Sequence, residues 1–387
     1  MFYGFTEEDL AYIDVAKQFA EKRLAPLVGD LEPSEEKARA INKELAEMGF
    51  IGMCLPEEYG GMGATRVQYC GVLETLSTVN DDFNTGITKV NMDGNAFVRY
   101  ASPELRDKYL PRLIAGEIVP ATALTEPNVG SDASGIETTA TLGTDGNWHI
   151  NGRKMFCSQF CGRADIFLLV AQTDKSLGHK GIAAFIVEQD FPGFQYNVVD
   201  DIISEGPYMR ATELVLDNLI VPPENLLGKV GQGFMAVSSA LDIGRLSIAA
   251  NCVGVCQRAI NETVKYVQQR KQFGREIGQF QLVQGRLADM ITETEAARSL
   301  LYRAASMVDQ SGGDRMECSY AKFFCSEVAQ RVTYNAIQLH GGYGLSKEYP
   351  VAHLWESMRQ ATIVDGTSDI QRLMIGRAAT GFNALRR

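Results

Sequence analysis

An acidic residue near the carboxyl terminus, Asp365, has the clearest chemical potential in this sequence. It stands directly before Gly366-Thr367-Ser368, within a stretch at residues 362–372 that reads Thr-Ile-Val-Asp-Gly-Thr-Ser-Asp-Ile-Gln-Arg. A carboxylate can remove a proton from a substrate as a general base when burial against apolar groups raises its pKa. Asp365 is therefore a candidate general base.

Sequence patterns for several other kinds of site are missing. No G-x-G-x-x-G and no G-x-x-x-x-G-K-[ST] occurs, so a Rossmann dinucleotide site or a phosphate-binding loop has no support. The eight cysteines form no C-x-x-C pair, and no histidine pair completes a zinc pattern, so no metal site is predicted. The net charge of −11 argues against nucleic acid or an anionic membrane surface as the main partner.

Four further motifs accompany Asp365-Gly-Thr-Ser in a fixed order along the chain. They are Leu124-Thr125-Glu126-Pro127 with Gly130-Ser131-Asp132, Gly152-Arg153-Lys154-Met155-Phe156, Arg270-Lys271-Gln272-Phe273-Gly274, and Gln338-Leu339-His340-Gly341-Gly342-Tyr343-Gly344. Together the five motifs resemble those of the FAD-dependent acyl-CoA dehydrogenases along nearly the whole chain. In that family a glutamate normally stands before Gly-Thr-Ser. The resemblance implies that this acid removes the proton α to an acyl-CoA thioester while hydride passes from the β carbon to N5 of tightly bound FAD.

The first two of these four motifs, and Ser158 just after them, match flavin contacts of that family. Leu124 and Thr125 match the segment that bonds the pyrimidine edge of the flavin, and Ser131 matches a hydroxyl near the pyrophosphate or the CoA chain. Phe156 stands where the family often has a tryptophan against the flavin, and Ser158 where a threonine hydroxyl addresses flavin N5. The structural alternatives are a plain surface turn and a strand with alternating side chains.

Positions in the C-terminal part match further FAD contacts: Arg270, Phe273, Gln281, Gln338, Gly341, Gly342, Thr367 and Asp369. The first three match residues that reach the FAD of a neighbouring subunit, so the resemblance implies a homo-oligomer, most simply a tetramer. An arginine suits the pyrophosphate because its fork fits phosphate oxygens. Taken alone, Arg270 also fits a basic loop with Lys271 and Arg275.

The substrate side of the family's site is matched by Ser131, Asp242, Arg245 and Gly366. Hydrogen bonds to the thioester oxygen, given in the family by a flavin ribityl hydroxyl and by the amide of the base residue, stabilise the developing enolate. Arg245 fits a structural ion pair equally well.

The base is one methylene shorter here than in the family pattern. Asp365 reaches about 1.5 Å less far, one C–C bond, and misplacement on this scale can cost on the order of 10²-fold in rate. Either a backbone shift restores the reach, or a differently placed or bulkier substrate comes to the base, or another acid acts. Gly244 stands where some long- and branched-chain members place the base, so that position offers no carboxylate.

A second acid, Asp93, lies in Val90-Asn91-Met92-Asp93-Gly94-Asn95, which matches a helix wall of the acyl pocket. The alternative is a helix-end aspartate in a solvated Asp-Gly turn. Two aspartates in place of one glutamate resemble the anaerobic dehydrogenases of alicyclic acyl-CoAs such as cyclohexane- and cyclohexenecarboxyl-CoA. The resemblance suggests this substrate class and leaves open which aspartate is the main base.

The implied partners are an acyl-CoA substrate and electron-transfer flavoprotein as electron acceptor. The same fold could instead serve an enoyl-CoA reductase, an acyl-carrier-protein-linked oxidation or an eliminating enzyme. A scaffold that binds flavin or acyl-CoA without turnover is a further alternative, because the base position departs from the family pattern.

The elements that must position these residues follow an α, β, α order. Thr6 can cap a first helix, and Ser102, Pro103 and Gly116 bound a later one, so the first part is predicted to be all-α. Short β-rich runs between Gly, Thr and Asn turns then predict a middle antiparallel β-domain, with a hairpin turn at Asn151-Gly152.

Long helical segments follow and predict a C-terminal four-helix bundle. The buried face of one segment is predicted at Leu282, Val283, Leu287, Met290 and Ile291. The resulting α+β architecture has an N-terminal helical domain at 1–120, a β-domain at 121–231 and a helical bundle at 232–387. With no basic, apolar or Arg-rich leader at the N-terminus and no apolar run of about 18 residues, a cytoplasmic location without a membrane span is expected.

Overall fold

The structure is a computed structural model that describes residues 4–30, 32–160, 163–199, 202–203, 206, 208–312 and 315–384. Within these residues the helices are α1 (Glu7–Phe19), α2 (Glu35–Glu47), α3 (Arg66–Ser77), α4 (Asn84–Tyr100), α5 (Pro103–Ile114), α6 (Gly233–Gln269), α7 (Gln281–Ser311), α8 (Arg315–His340), α9 (Pro350–Arg359) and α10 (Ser368–Thr380). The strands are β1 (Pro120–Ala123), β2 (Thr139–Leu142), β3 (Trp148–Phe160), β4 (Ile166–Gln172), β5 (Ile182–Glu188), β6 (Phe194–Val199), β7 (Met209–Val221), β8 (Leu226–Leu227), β9 (Lys271–Gln272) and β10 (Arg275–Glu276). The predicted order of helices, strands and helices is confirmed.

Local capping explains where several helices begin. The Thr6 hydroxyl accepts a hydrogen bond from the Asp9 amide at 3.2 Å, and the Asp9 carboxylate accepts one from the Thr6 amide at 2.8 Å. This reciprocal pair satisfies two amides that α1 itself leaves unbonded. The Ser102 hydroxyl caps α5 by accepting from the Leu105 amide at 3.3 Å, and Gly116 follows the end of α5 with a φ of +68°. Both predicted helix boundaries are confirmed.

The chain divides into two compact units that do not follow chain order. We call residues 1–29, 65–84 and 245–387 the bundle unit, and residues 30–64 and 85–244 the sheet unit. The boundary at 244/245 falls within α6.

Helices α7 and α8 form the centre of the bundle unit. They pack against each other, α9 and α10 pack on α8, and α3 packs on α7 and α1. Small buried side chains recur along α8 at helical spacing, at Ala321, Cys325, Ala329, Val332 and Ala336. Such a stripe lets neighbouring helices approach closely.

An eight-stranded sheet forms the centre of the sheet unit, in the order β6-β7-β3-β2-β4-β5-β8, with β1 beside β4. Strands β4 and β5 are almost continuously buried, which is why they read as uninterrupted apolar runs. The predicted antiparallel pairing holds except at β4, which pairs in parallel with β1 and meets β2 at one parallel position.

The predicted hairpin turn at Asn151-Gly152 is wrong. Both residues lie inside the continuous strand β3, where the register against β7 shifts between Ile150 and Gly152. A Cβ on Gly152 would lie 2.4 Å from the Thr138 hydroxyl, so glycine is needed for close approach at a bulge. The turn between β2 and β3 is formed instead by Gly143 to Asn147.

The predicted buried face at the start of α7 holds only in part, since Val283 and Leu287 are half-buried. Leu282 is 85% exposed and Ile291 is exposed, whereas Met290 is buried. Burial continues from Met290 through Thr294 and Ala297, because the neighbouring helices cover only the later turns of α7. The helical spacing is therefore correct, but the described chain covers the first turns of α7 only in part.

Among the residues that the structure describes, no helix is long and apolar enough to cross a membrane.

Candidate active site

The loop that carries Asp365 joins the short helical turn Gln360–Thr362 to α10. Asp365 has a φ of +53° and Gly366 a φ of +94°, so two successive residues adopt a left-handed backbone. Aspartate is among the few side chains that tolerate this conformation. Thr367 ends the loop as the N-cap of α10, because its hydroxyl accepts from the Ile370 amide at 3.2 Å. The partly exposed Asp365 thus stands at a sharp reversal of the main chain.

Side chains from three helices hold this loop through its carbonyl oxygens. Arg245 Nε on α6 donates to the Asp365 carbonyl at 3.2 Å. Gln371 Nε2 on α10 donates to the Gly366 carbonyl at 3.0 Å and to the Asp365 carbonyl at 3.3 Å. Lys322 Nζ on α8 donates to the Gly366 carbonyl at 2.8 Å. These bonds fix the orientation of the two peptide groups on either side of Gly366.

Lys322 is the least expected member of this clamp. Its side chain is fully buried. Burial lowers the pKa of Lys322 to about 8, and the negative charge of Asp365 partly opposes this shift. Sequence reasoning missed Lys322 and Gln371, because helical spacing alone does not distinguish a buried lysine from a solvated one.

A cavity of about 570 Å³ brings together four predicted cofactor residues in the bundle unit. Arg270, Gln338, Gly341 and Gly342 line it, and the Arg270 guanidinium lies 5.3 Å from the centre of the Tyr343 ring. A Cβ at either glycine would meet nothing within 4 Å, so the main chain is open on this side.

His340 belongs to the aromatic wall of the same cavity. Its ring stacks on Tyr266 at 4.3 Å, and its Nδ1 lies 2.8 Å from the Ala336 carbonyl. Burial lowers the pKa of His340. His340 thus serves as a packing residue in this wall.

Two other predicted cofactor residues, Phe273 and Gln281, lie apart from that cavity's lining. Phe273 forms the tip of the β9–β10 hairpin with a φ of +51° and is 94% exposed. Its ring meets Phe280 edge to face at 6.0 Å, and the exposed Gln281 follows as the first residue of α7. Asp369 is likewise exposed, and its carboxylate accepts from Arg372 at 2.7 Å.

In the sheet unit, a buried ion pair holds the segment that contains Leu124 and Thr125. Lys154 Nζ donates to the Glu126 carboxylate at 2.7 Å and to the Leu124 carbonyl at 3.2 Å. The same carboxylate accepts from the amides of Glu137 at 2.6 Å and Thr138 at 3.1 Å. The Met155 amide donates to the Thr125 carbonyl at 2.8 Å. The segment is therefore tied to β3 by both side chain and main chain.

The pKa values of this pair reflect burial and attraction together. Burial raises the pKa of Glu126, but Lys154 and the amide donors outweigh it and hold the value below the usual range. Burial lowers the pKa of Lys154, and the Glu126 charge opposes the shift. Neither residue had been assigned a role from the sequence, although both stand within the motifs.

Phe156 follows this anchored part of β3 at a second bulge. Lys154 pairs with Leu214 and Cys157 with Thr212, so β3 carries one extra residue here. Phe156 takes a φ of +55° and its ring is 57% exposed. A bulky side chain in this conformation is strained, and such strain concentrates at functional sites. Ser158, two residues on, is partly exposed.

Two further predicted substrate residues lie elsewhere in the sheet unit. Ser131 is exposed in the loop after the Glu126–Val129 turn, and Asp242 is partly exposed on α6. Gly244 is buried.

Asp93 lies in the middle of α4 and is fully buried, so its placement in a solvated helix-end turn is wrong. The Thr122 hydroxyl on β1 donates to the Asp93 carboxylate at 2.9 Å. Thr122 is two residues before Leu124, so Asp93 lies next to the strand that leads into the predicted flavin segment. The amides of Asn91 and Asn95, on the same helix, bind main-chain carbonyls at 2.8 to 3.0 Å.

Within the described residues, no group of three or more His, Cys, Asp or Glu side chains could hold a metal ion. The bundle unit offers the Asp365 carboxylate on a clamped loop, the Arg270 guanidinium and the open Gly341 and Gly342. The sheet unit offers the buried Asp93 carboxylate.

Comparison with known proteins agrees with this arrangement along the chain. The family models for the acyl-CoA dehydrogenase N-terminal, middle and C-terminal domains match residues 6–117, 121–219 and 231–380. An acyl-CoA dehydrogenase of Bacillus subtilis is 37% identical over 97% of this chain and 99% of its own length. The caffeyl-CoA reductase-Etf complex subunit CarC of Acetobacterium woodii is 36% identical over 96% of this chain and 98% of its own length.

Structural comparison gives the same result. The butyryl-CoA dehydrogenase structure from Megasphaera elsdenii superposes with a TM-score of 0.90 at 35% identity, covering 97% of this chain and 99% of that one. The chain therefore belongs to the acyl-CoA dehydrogenase family, whose members are FAD oxidoreductases that act on CH–CH groups.

Proposed function

We propose that this acyl-CoA dehydrogenase oxidises an alicyclic acyl-CoA, with an aspartate in place of the usual glutamate as the base. The observation that carries the proposal is the pair of carboxylates. Asp365 is a shortened base on a clamped loop, and Asp93 is a second, fully buried acid on α4. The α carbon of a ring substrate could lie closer to the loop than that of a straight chain, which would suit a side chain that reaches about 1.5 Å less far.

The residues present fit FAD, the cofactor of this family. In the bundle unit, Arg270 can bind phosphate oxygens, and Gly341 and Gly342 leave the main chain open beside a cavity of about 570 Å³. In the sheet unit, Thr125 would offer hydrogen-bonding groups, and the exposed Phe156 would offer an apolar wall. Bound FAD supplies the hydride acceptor for the β carbon.

The chain's own residues supply the base and hold it in place. Asp365 would remove the α proton, while Arg245, Lys322 and Gln371 hold the carbonyls on both sides of Gly366. A clamp on the main chain reduces the motion that a short side chain would otherwise have at the reacting carbon. The amide of Asp365, which directly precedes the clamped peptide groups, would bond the thioester oxygen.

The role of Asp93 depends on its surroundings. A buried carboxylate tends to keep its proton unless charges or donors stabilise the anion. The Thr122 hydroxyl provides one such donor at 2.9 Å. We propose Asp93 as the alternative to Asp365 for the single proton that the substrate loses as hydride leaves its β carbon.

A homotetramer is typical of this family, and two exposed apolar side chains in the bundle unit suit an interface between subunits. Phe273 is 94% and Leu282 is 85% exposed. Covering one such side chain contributes roughly 1.5 to 3 kcal/mol. We propose that a second copy covers them, with Phe273 and Gln281 reaching its FAD.

Electron-transfer flavoprotein is the proposed electron acceptor, because the relative CarC is a subunit of a reductase-Etf complex. The domain boundaries near residues 120 and 231 and a cytoplasmic location stay predictions.

The substrate proposal is tested by anaerobic mixing of the FAD-containing enzyme with straight-chain, branched and alicyclic acyl-CoAs. We expect cyclohexane- or cyclohexenecarboxyl-CoA to bleach the visible flavin absorbance at least about tenfold faster than butyryl-CoA, a ratio within reach of pocket shape. A straight-chain substrate with the highest kcat/KM would contradict the alicyclic proposal. A purified protein that cannot be loaded with FAD would contradict the dehydrogenase itself.

The base assignment is tested with Asp365→Asn and Asp93→Asn, which keep side-chain size and remove the base. At least one should slow flavin reduction by about 10²- to 10⁴-fold while FAD stays bound. Asp107→Asn, an exposed position on α5, is the control and should retain the parent rate. Parent rates in both Asp365→Asn and Asp93→Asn would show that proton abstraction lies elsewhere.

A second function, reduction of an enoyl-CoA, is favoured by one observation: the relative CarC is named a caffeyl-CoA reductase. Both directions need the same residues, so the direction depends on the relative stability of the two thioesters and on the electron donor. Mixing chemically reduced enzyme with an enoyl-CoA separates the two directions. Reoxidation at a rate above that of flavin reduction by the saturated acyl-CoA would favour the reductase.

A further inference from the structure

We propose that Lys322 is a positioning residue for proton abstraction: its ammonium group holds the Gly366 carbonyl and thereby fixes the direction in which Asp365 presents its carboxylate. The inference rests on the proposed function, in which Asp365 is a base. It assigns a function to a side chain on α8 that belongs to none of the five sequence motifs.

The first argument concerns the hydrogen-bond acceptor of Lys322. Its side chain is fully buried, yet the hydrogen bond that fixes it runs to a neutral main-chain carbonyl at 2.8 Å. Taking an ammonium group out of water is costly, and a neutral carbonyl compensates less than a carboxylate does. A methionine would fill similar space without that cost. A role in stability alone therefore accounts poorly for a lysine at this position.

The second argument is the conformation of the loop that Lys322 holds. Asp365 and Gly366 both have positive φ, and for Asp365 this conformation is intrinsically unfavourable. Bonds to the two carbonyls around Gly366 stabilise it from α6, α8 and α10. Together the two held peptide groups set the backbone angles of Gly366, and with them the course of the loop that carries Asp365. Because misplacement by about 1 Å can cost on the order of 10²-fold in rate, loss of the clamp should be felt in the chemical step.

The third argument is charge. The groups that face Lys322 are Asp365 on the loop, Arg245 and Cys252 on α6, and Glu327 on α8. Asp365 and Glu327 favour the ammonium form and Arg245 opposes it. Since the pKa of Lys322 lies at about 8, its proton is lost within the range in which the enzyme can be assayed. A neutral amine would bind the Gly366 carbonyl more weakly and would no longer attract the Asp365 carboxylate.

The test uses the FAD-loaded enzyme, the acyl-CoA that bleaches it fastest, and rapid mixing across about pH 6 to 10. Lys322→Met removes the charge, and Lys322→Arg keeps a charge that does not titrate in this range. We expect Lys322→Met to lower the maximal rate of flavin reduction on the order of 10²-fold with little change in KM. The parent rate should fall above about pH 8, and this fall should be absent in Lys322→Arg.

Ser326→Ala is the matched control, because Ser326 is also fully buried on α8 and its hydroxyl donates within its own helix, to the Phe323 carbonyl at 3.2 Å. It should keep the parent rate and pH profile. A Lys322→Met enzyme within about twofold of the parent, while Asp365→Asn is inactive, would overturn the positioning role and leave the proposed function standing. Should Lys322→Met fail to fold, Lys322→Arg decides: an unchanged fall above pH 8 overturns the inference.

Failure of the base assignment to Asp365 has a different signature. If Asp365→Asn reduces flavin at the parent rate, Asp365 is not the base, and the positioning role of Lys322 is overturned with it.

Discussion

Two buried lysines, one in each unit, are held in different ways. Lys154 in the sheet unit donates to the Glu126 carboxylate, which also accepts hydrogen bonds from two main-chain amides. Lys322 in the bundle unit donates to the Gly366 carbonyl and has Asp365 among the charges around it. Burial lowers the pKa of both lysines.

The difference separates a fixed anchor from an adjustable one. The charge of Lys154 is compensated by a directly bonded carboxylate, and this pair ties the Leu124–Thr125 segment to β3. Breaking the pair would leave an uncompensated buried charge, which is costly in free energy. The charge of Lys322 is compensated mainly by a candidate base, so protonation, loop geometry and reactivity are linked there. The predictions below run from the largest expected effect to the smallest.

Breaking the Lys154 anchor should have the largest effect. Glu126→Gln leaves the Lys154 charge buried without its carboxylate, which should lower the free energy of unfolding by about 3 to 5 kcal/mol. FAD should also be lost more readily, because Leu124 and Thr125 are no longer tied to β3. Urea unfolding and the FAD content after gel filtration measure both effects.

The control for this variant is Glu213→Gln. Glu213 pairs at 3.0 Å with Arg153, which is largely exposed and immediately precedes Lys154. An exposed pair of this kind contributes only about 0 to 1 kcal/mol. Equal losses in the two variants would mean that burial does not distinguish the anchor at Lys154.

The pH dependence of stability should reveal Lys322. Burial lowers its pKa from 10.5 to about 8, so between these values the unfolded chain binds more protons than the folded one. The free energy of unfolding should therefore rise with pH across this window, by up to about 3 kcal/mol in total. Below about pH 8 and above 10.5 the contribution of Lys322 should be flat.

Urea unfolding of the parent and of Lys322→Met at several pH values measures this contribution, since the difference cancels other titrating groups. A difference that does not change between pH 8 and 10.5 would show that the pKa of Lys322 is not lowered.

The loop at Asp365 should be sensitive to a single methyl group. Gly366→Ala places a side chain at a φ of +94° and a Cβ 2.7 Å from Gln371 Nε2. Strain of this kind costs about 1 to 3 kcal/mol, and Gln371 would lose its bonds to the two carbonyls. Flavin reduction should slow together with stability.

Gly381→Ala separates the two causes in that variant. Gly381 also has a positive φ, +75°, but a Cβ there meets nothing within 4 Å. We expect a smaller loss of stability and no loss of rate, so an equal loss of rate would argue against the contact with Gln371.

The smallest effect should come from removing both charges of the sheet-unit anchor. Glu126→Gln combined with Lys154→Met leaves no buried charge and keeps an oxygen for the amides of Glu137 and Thr138. We expect the free energy of unfolding to return to within about 1 to 2 kcal/mol of the parent. Urea unfolding measures this. A double variant as unstable as Glu126→Gln alone would show that the ion pair stabilises the fold beyond the mutual compensation of its two charges.

The sequence alone determined the family, the α, β, α order and the helix boundaries. Thr6, Ser102 and Gly116 act within one turn of their own helices, so their effect is readable without knowledge of the fold. The five motifs likewise indicate the family and its reaction, because their residue types and order along the chain are specific. The motif Asp365-Gly366-Thr367-Ser368 alone identifies Asp365 as a candidate base.

The tertiary structure decided what those residues touch. Asn151-Gly152 was predicted as a turn because local sequence does not show which residue lies beside Gly152. That residue is Thr138, which comes from another part of the chain and leaves no room for a Cβ. The exposed Leu282 looked buried because helical spacing shows a face but not whether anything covers it. Lys322 and Gly366 are 44 residues apart, and only the packing of α8 against the loop brings an ammonium group to the carbonyl beside Asp365. Local propensity sets the elements, whereas burial and long-range contacts set the chemistry at the base.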